Sequence, residues 1–168
     1  SWTSVNTGLT GYNVTEFVVS GTSLFAGTHP IEWRGISGGV FLSTNNGTNW
    51  TAVNSGLTNL SVWCLAVSGS NLFAGTDSGG VFFSTNNGTS WEAVNIGLTY
   101  ATVSSLLASE SNLIAGTDGD GVFLSSNNGT SWTAINNGLT NPYVSSLVVS
   151  GMNIFAATSG GGVFLSTN

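Results

Sequence analysis

The feature that most constrains this chain is its self-similarity. Trp50 to Ser90 reads WTAVNSGLTNLSVWCLAVSGSNLFAGTDSGGVFFSTNNGTS, and the stretch from Trp91 reads WEAVNIGLTYATVSSLLASESNLIAGTDGDGVFLSSNNGTS, each 41 residues long. Trp91 to Trp132 spans 41 again, whereas Trp2 to Trp50 spans 48 because one loop carries seven extra residues. Repetition at such a period marks an architecture made of stacked copies of one small unit.

Each unit divides into four strand-like runs set apart by turn residues. They are V-x-x-[LF]-x-x-S (Val62 to Ser68), N-L-F-A-G-T (Asn71 to Thr76), G-V-F-[LF]-S-[TS]-N (Gly80 to Asn86) and W-T-A-V-N (Trp50 to Asn54). Short strands at regular spacing, punctuated by Gly and Asn, indicate a sandwich, barrel or propeller. Four strands in a repeat of about 41 residues favour the propeller. The expected fold is all-β: residues 1–168 as a single β-propeller domain of four four-stranded antiparallel blades. The chain opens on a fourth-strand run (Ser1 to Asn6) and closes on a third-strand run (Gly162 to Asn168). The N-terminal strand is therefore expected to complete the last blade, closing a four-bladed ring or, by exchange between two chains, an eight-bladed one.

Composition agrees and excludes several functions. Of 168 residues, 40% are hydrophobic and only 5% charged, with 24 Gly. Such a mixture suits pleated strands and tight turns, while the residues that build long helices are scarce. With one Arg, no Lys and a net charge of −6, the surface repels phosphate backbones and anionic lipid, so neither nucleic acid nor membrane is an expected partner. The single cysteine, Cys64, allows no intrachain disulfide and reads as a small buried thiol. The start at Ser1, without initiator Met or signal peptide, reads as a mature product or a piece of something longer.

The turn between the third and fourth runs recurs as Ser43-Thr-Asn45-Asn-Gly47-Thr-Asn-Trp50, Ser84-Thr-Asn86-Asn-Gly88-Thr-Ser-Trp91 and Ser125-Ser-Asn127-Asn-Gly129-Thr-Ser-Trp132. This resembles the Asp-box, or BNR repeat, S-x-D-x-G-x-[ST]-W, with Asn in place of the Asp in every copy. A fourth copy is split between Ser166-Thr-Asn168 and Ser1-Trp2. The resemblance implies a propeller and leaves function open, since proteins with this box include sialidases, other glycosidases, sorting receptors and photosystem assembly factors. A sialidase site needs a cluster of arginines, and this chain has only Arg34. The resemblance brings no catalytic residue and no cofactor; its bearers and the low charge imply a secreted or extracytoplasmic setting.

Differences among the copies point to one working face. The box turns barely vary, while the second–third turns and the links between blades, which share the opposite face, do. All nine Phe and Trp2, Trp50, Trp91 and Trp132 occupy repeat-locked positions. The off-pattern aromatics Tyr12, Trp33, Trp63, Tyr100 and Tyr143 lie on the variable face. So do the charged residues Glu16, Glu32, Arg34, Asp77, Asp118 and Asp120, and the insertion that holds His29. Loops on a rigid frame carry binding residues, and Tyr and Trp anchor recognition surfaces. Bland readings stand beside these: drift of exposed loops, a Glu32–Arg34 pair bracing its own loop, and a Gly/Asp turn at Asp118–Asp120 in preference to a calcium site.

The reading this supports is a non-catalytic binding or scaffolding propeller that recognises a glycan or a protein through the variable face. One alternative is a glycoside-active enzyme, with paired carboxylates drawn from Glu16, Glu32, Asp77, Asp118 and Asp120. The other is a repeat segment of a longer or assembling protein, including a homodimer formed by terminal-strand exchange.

Overall fold

The computed structural model describes residues 1–9, 13–30, 37–99, 102–109 and 112–167. Its strands form four antiparallel sheets in chain order. The first holds β1 (Asn13–Ser20), β2 (Ser23–His29), β3 (Gly39–Ser43) and β4 (Thr51–Ala52). The second holds β5 (Val62–Ser68), β6 (Asn71–Thr76), β7 (Gly80–Ser84) and β8 (Glu92–Ala93). The third holds β9 (Val103–Ser109), β10 (Asn112–Thr117), β11 (Gly121–Ser125) and β12 (Thr133–Ala134). The fourth holds β13 (Val144–Ser150), β14 (Asn153–Thr158) and β15 (Gly162–Ser166). The chain is a four-bladed all-β propeller, as the repeat implies.

Local chemistry sets each hairpin. Ser20 pairs with Ser23, Ser68 with Asn71 and Ser150 with Asn153, leaving two-residue connections. Each begins with a glycine at φ near +60° (Gly21, Gly69, Gly151), as a II′ turn requires. The longer third–fourth turn is braced by side chains. Ser43 Oγ accepts the Gly47 N–H at 2.9 Å and donates to Asn45 Oδ1 at 3.0 Å, while Asn45 Oδ1 accepts the Asn49 N–H at 2.9 Å. The same bonds recur around Ser84–Asn86 and Ser125–Asn127. In those two copies the asparagine amide also donates to Ser90 or Ser131, a bond that a carboxylate could not donate.

Neighbouring sheets pack face to face, β1 against β5, β5 against β9 and β9 against β13. Phe25, Val40, Val62, Leu65, Leu72 and Phe82 fill the space around the second sheet. Phe73, Val103, Leu113 and Phe123 fill that around the third. One tryptophan per repeat bridges to the preceding unit. Trp91 Nε1 donates to Val53 O and Trp132 Nε1 to Val94 O, both at 2.7 Å, and Trp50 Nε1 to Val5 O at 3.0 Å. Each ring is buried and its one polar atom satisfied, so truncating one to Ala would cost about 3–5 kcal/mol.

Two expectations need correction. The W-T-A-V-N run is a strand for two residues only. Its asparagine then turns inward, with Oδ1 of Asn54, Asn95 and Asn136 accepting the N–H of Val40, Val81 and Val122 at 2.6–2.7 Å. Among the described residues the N-terminal run, expected to complete the last blade, forms no strand, and the fourth sheet has three strands. The physical reason is that this segment is already held on the first sheet. Val5 O and Thr7 O accept both N–H groups of Trp50, and Leu9 is buried beside that ring. Among the described residues, no packing comparable to that between neighbours joins β13 back to β1.

Candidate functional site

The site grows out of a defect repeated in every first strand. The pairing of β1, β5, β9 and β13 with its neighbour slips by one residue, leaving Thr15, Trp63, Ser104 and Ser145 as bulge residues. A bulge leaves a residue unpaired and re-aims its side chain. Thr15 and Ser104 use theirs to join units, donating to the carbonyls of Gly27 and Val62, and of Gly116 and Val144. Trp63 cannot make that bridge. Its ring turns outward, half exposed, and lies against the His29 imidazole at 5.3 Å between centroids and 34° between planes. The buried thiol of Cys64 reaches Val103 O in its stead, at 3.5 Å.

The second–third turns come to the same rim. Asp77 N–H donates to Ser61 O, Asp118 N–H to Thr102 O and Ser159 N–H to Tyr143 O, at 2.8–3.1 Å. These bonds tie each turn to the link that enters its own blade. Trp63, Asp118 and Tyr143 consequently share one cleft of about 270 Å³, with Thr102, Ser104 and Ser145 among its other walls. Asp77 is one bond away, accepting from Thr102 Oγ1 at 3.1 Å. His29 Nδ1 bonds Ser61 Oγ at 2.9 Å, which steadies the imidazole behind Trp63. The structure thus brings together His29, Trp63, Asp77, Asp118 and Tyr143.

Two candidates fall elsewhere. Asp120 turns away, its Oδ2 accepting from Thr99 Oγ1 at 2.7 Å. Asp118 and Asp120 therefore do not converge on a common ligand, as a calcium site there would need. Glu16 lies on β1 at the strand position of Cys64 and accepts the Leu65 N–H. Partial burial raises its pKa and that hydrogen bond opposes the rise. Burial, with the nearby Glu16 charge adding to it, also pushes the Cys64 thiol far above its ordinary value, so the thiol stays protonated. Tyr12, Glu32, Trp33, Arg34 and Tyr100 lie outside the described residues. Among the described residues no three of His, Cys, Asp and Glu form a metal-ligand group.

Sequence reasoning missed the hydroxyls of Thr102, Ser104, Ser145 and Ser159 in the cleft wall. The signal was available: position 63 carries Trp where the other repeats carry Thr or Ser, which marks both the bulge and its exception.

Residues 38–156 match the sequence profile of the DUF6242 beta propeller domain, and the chain belongs to that family. No match was found among curated proteins. Among solved structures, an ancestral GH74 enzyme is similar over 99% of this chain and 24% of its own, at 27% identity and a TM-score of 0.75. The GH74 xyloglucanase from Xanthomonas campestris is similar over 100% of this chain and 31% of its own, at 16% identity and a TM-score of 0.72. YCF48 from Cyanidioschyzon merolae is similar over 94% and 54%, at 14% identity and a TM-score of 0.69. The chain spans about a quarter to a third of the GH74 structures and about half of YCF48.

Proposed function

We propose that this DUF6242-family propeller is a non-catalytic recognition module that binds a neutral glycan at the Trp63 cleft, on a frame whose box turns are an Asn form of the Asp-box. The observation that carries the reading is the convergence of Trp63, Tyr143 and Asp118 in one open cleft. Aromatic faces stack on the C–H face of a sugar ring, while carboxylate and hydroxyl groups take its hydroxyls. Nothing cationic is needed for such a ligand, and the described residues contain no Lys or Arg. The xyloglucanase of similar fold suggests the first probe.

The test is calorimetric titration of the chain with xyloglucan oligosaccharides and a panel of other neutral glycans. Trp63→Ala should weaken binding by roughly tenfold or more, because a half-exposed platform residue supplies contact and little of the core. Glu92→Ala, on exposed β8, should change nothing. Unchanged affinity in Trp63→Ala would remove the cleft from the reading. Release of new reducing ends by the wild-type chain would replace it with the enzymatic alternative.

A further inference from the structure

The chemistry of the cleft wall, taken with the glycan reading on which this step rests, narrows what the ligand can be. At the rim, the residue after each second-strand threonine meets the residue before the first valine of the next sheet. Between the first and second sheets, His29 Nδ1 bonds Ser61 Oγ at 2.9 Å. Between the second and third, Thr102 Oγ1 donates to Asp77 Oδ1 at 3.1 Å, and Ser78 Oγ donates to the same oxygen at 3.2 Å. The Ser78 N–H, from a residue held at φ +60°, donates back to Thr102 Oγ1 at 3.2 Å. Each of these two junctions is thus clamped by side chains.

The junction between the third and fourth sheets is not. Its turn residue is Asp118, and Tyr143 stands where the other two carry Ser61 and Thr102. Main-chain bonds join the two segments instead: Asp118 and Tyr143 form an antiparallel bridge, and the N–H groups of Gly119 and Gly121 donate to Pro142 O at 3.3 and 2.9 Å. The phenol ring lies beside this turn, 3.9 Å from where a Cβ on Gly119 would be. Among the described residues, the Asp118 carboxylate accepts no hydrogen bond, whereas Asp77 takes two and Asp120 one.

Three hydroxyls of the same wall also act as acceptors. The Thr102 proton is committed to Asp77, that of Ser104 to the carbonyls of Gly116 and Val144, and that of Ser145 to Ala157 O at 3.2 Å. With Asp118 they line the cleft that Trp63 and Tyr143 share. A hydroxyl oxygen whose proton is committed still offers a lone pair, and a carboxylate accepts at both oxygens and donates at neither. The ligand must bring donors to such a wall. It must bring no anion, because the chain carries a net charge of −6.

We propose that Asp118 sets the specificity of the cleft by accepting two adjacent hydroxyls of one sugar ring, so that the ligand is a neutral glycan with an unsubstituted vicinal diol. Neighbouring O–H groups on a ring can serve the two oxygens of one carboxylate, and bonds to an ionised acceptor are about twice as strong as neutral ones. The ring's apolar face lies on Trp63. At about 270 Å³ the cleft is at the small end of ligand sites and suits a single sugar unit with its neighbours in solvent. Where Asp77 is held by Thr102, the rim only joins its sheets; where Tyr143 replaces that hydroxyl, the carboxylate is left for the ligand.

Calorimetric titration with cello-, manno-, galacto- and xyloglucan oligosaccharides tests this, each measured beside its O-methylated form and beside the form oxidised to the uronic acid at C6. The unmodified sugar should bind roughly tenfold or more tightly than either derivative. Asp118 is exposed, so Asp118→Asn should leave the fold intact. It should weaken the neutral sugar by roughly tenfold and shrink the preference over the uronic acid, which damage to the fold alone would not do. Tyr143→Thr and Tyr143→Val remove the same ring, but only the threonine can donate to Asp118 as Thr102 does to Asp77. The threonine variant should therefore bind more weakly than the valine variant, by a few-fold or more. Affinity lost in Trp63→Ala and unchanged in Asp118→Asn would overturn this assignment and leave the cleft as the glycan site. O-methylated sugars that bound as well as free ones would do the same. Binding of none of the sugars would remove both, and capture of choline in their place would make the carboxylate a partner for a cation.

Discussion

Glu16 shows how one residue is shaped by a neighbouring unit. On β1 its carboxylate accepts the Leu65 N–H of the next sheet, yet partial burial there raises its pKa. Folding therefore favours the protonated form. The favourable contribution is full below the pKa of the unfolded chain and is lost as the pH rises through the higher folded value. Glu16→Gln keeps an acceptor for Leu65 and removes the charge. Chemical denaturation should find this variant more stable than wild type at neutral pH, with the gap closing once the pH falls below the range of a free glutamate. A gap that persists in acid would mean that the effect is packing rather than charge. Trp63 makes the complementary point: its strand position does not differ from that of Ser104, and only its inability to bridge two carbonyls sends it to the rim.

At the scale of elements, the third–fourth turn holds each blade together more than its two-residue fourth strand does. Ser125 Oγ is buried, accepts the Gly129 N–H at 2.9 Å and donates to Asn127 Oδ1 at 2.8 Å. Ser125→Ala leaves that N–H without a partner and should cost about 1–3 kcal/mol. Thr130→Ala, on the exposed side of the same turn, should cost about 0.5 kcal/mol or less. Urea midpoints of the two variants give the comparison; equal midpoints would mean that the turn is shaped by its Asn-Gly backbone alone.

For the whole molecule, pairing within each sheet sets the order of stability. Among the described residues β15 pairs on one side only, with β14, whereas β3, β7 and β11 pair on both, and Val163 and Leu165 are exposed. In the 168-residue chain, amide hydrogens of β14 and β15 should exchange sooner than those of β6 and β7, because fewer contacts hold them closed. Mass spectrometry of exchanged peptides reads this directly. Equal protection across the sheets would show that the fourth sheet is held as firmly as the second.

The amino-acid sequence by itself determined the repeat, the strand count of the unit, the hairpin glycines and the face on which the copies differ. Those properties depend on neighbours along the chain and on a period that can be counted. It also marked Trp63, Asp118 and Tyr143, though only as members of a long set. Tertiary structure alone decided that these three meet, because the bulge that frees Trp63 arises from the pairing of β5 with β6 and the bridge between Asp118 and Tyr143 joins two sheets. It alone separated Asp120 and Glu16 from them, each taken up by a partner far along the chain. It decided too that the N-terminal run rests on the first sheet, since the carbonyls of Val5 and Thr7 take both N–H groups of Trp50 there.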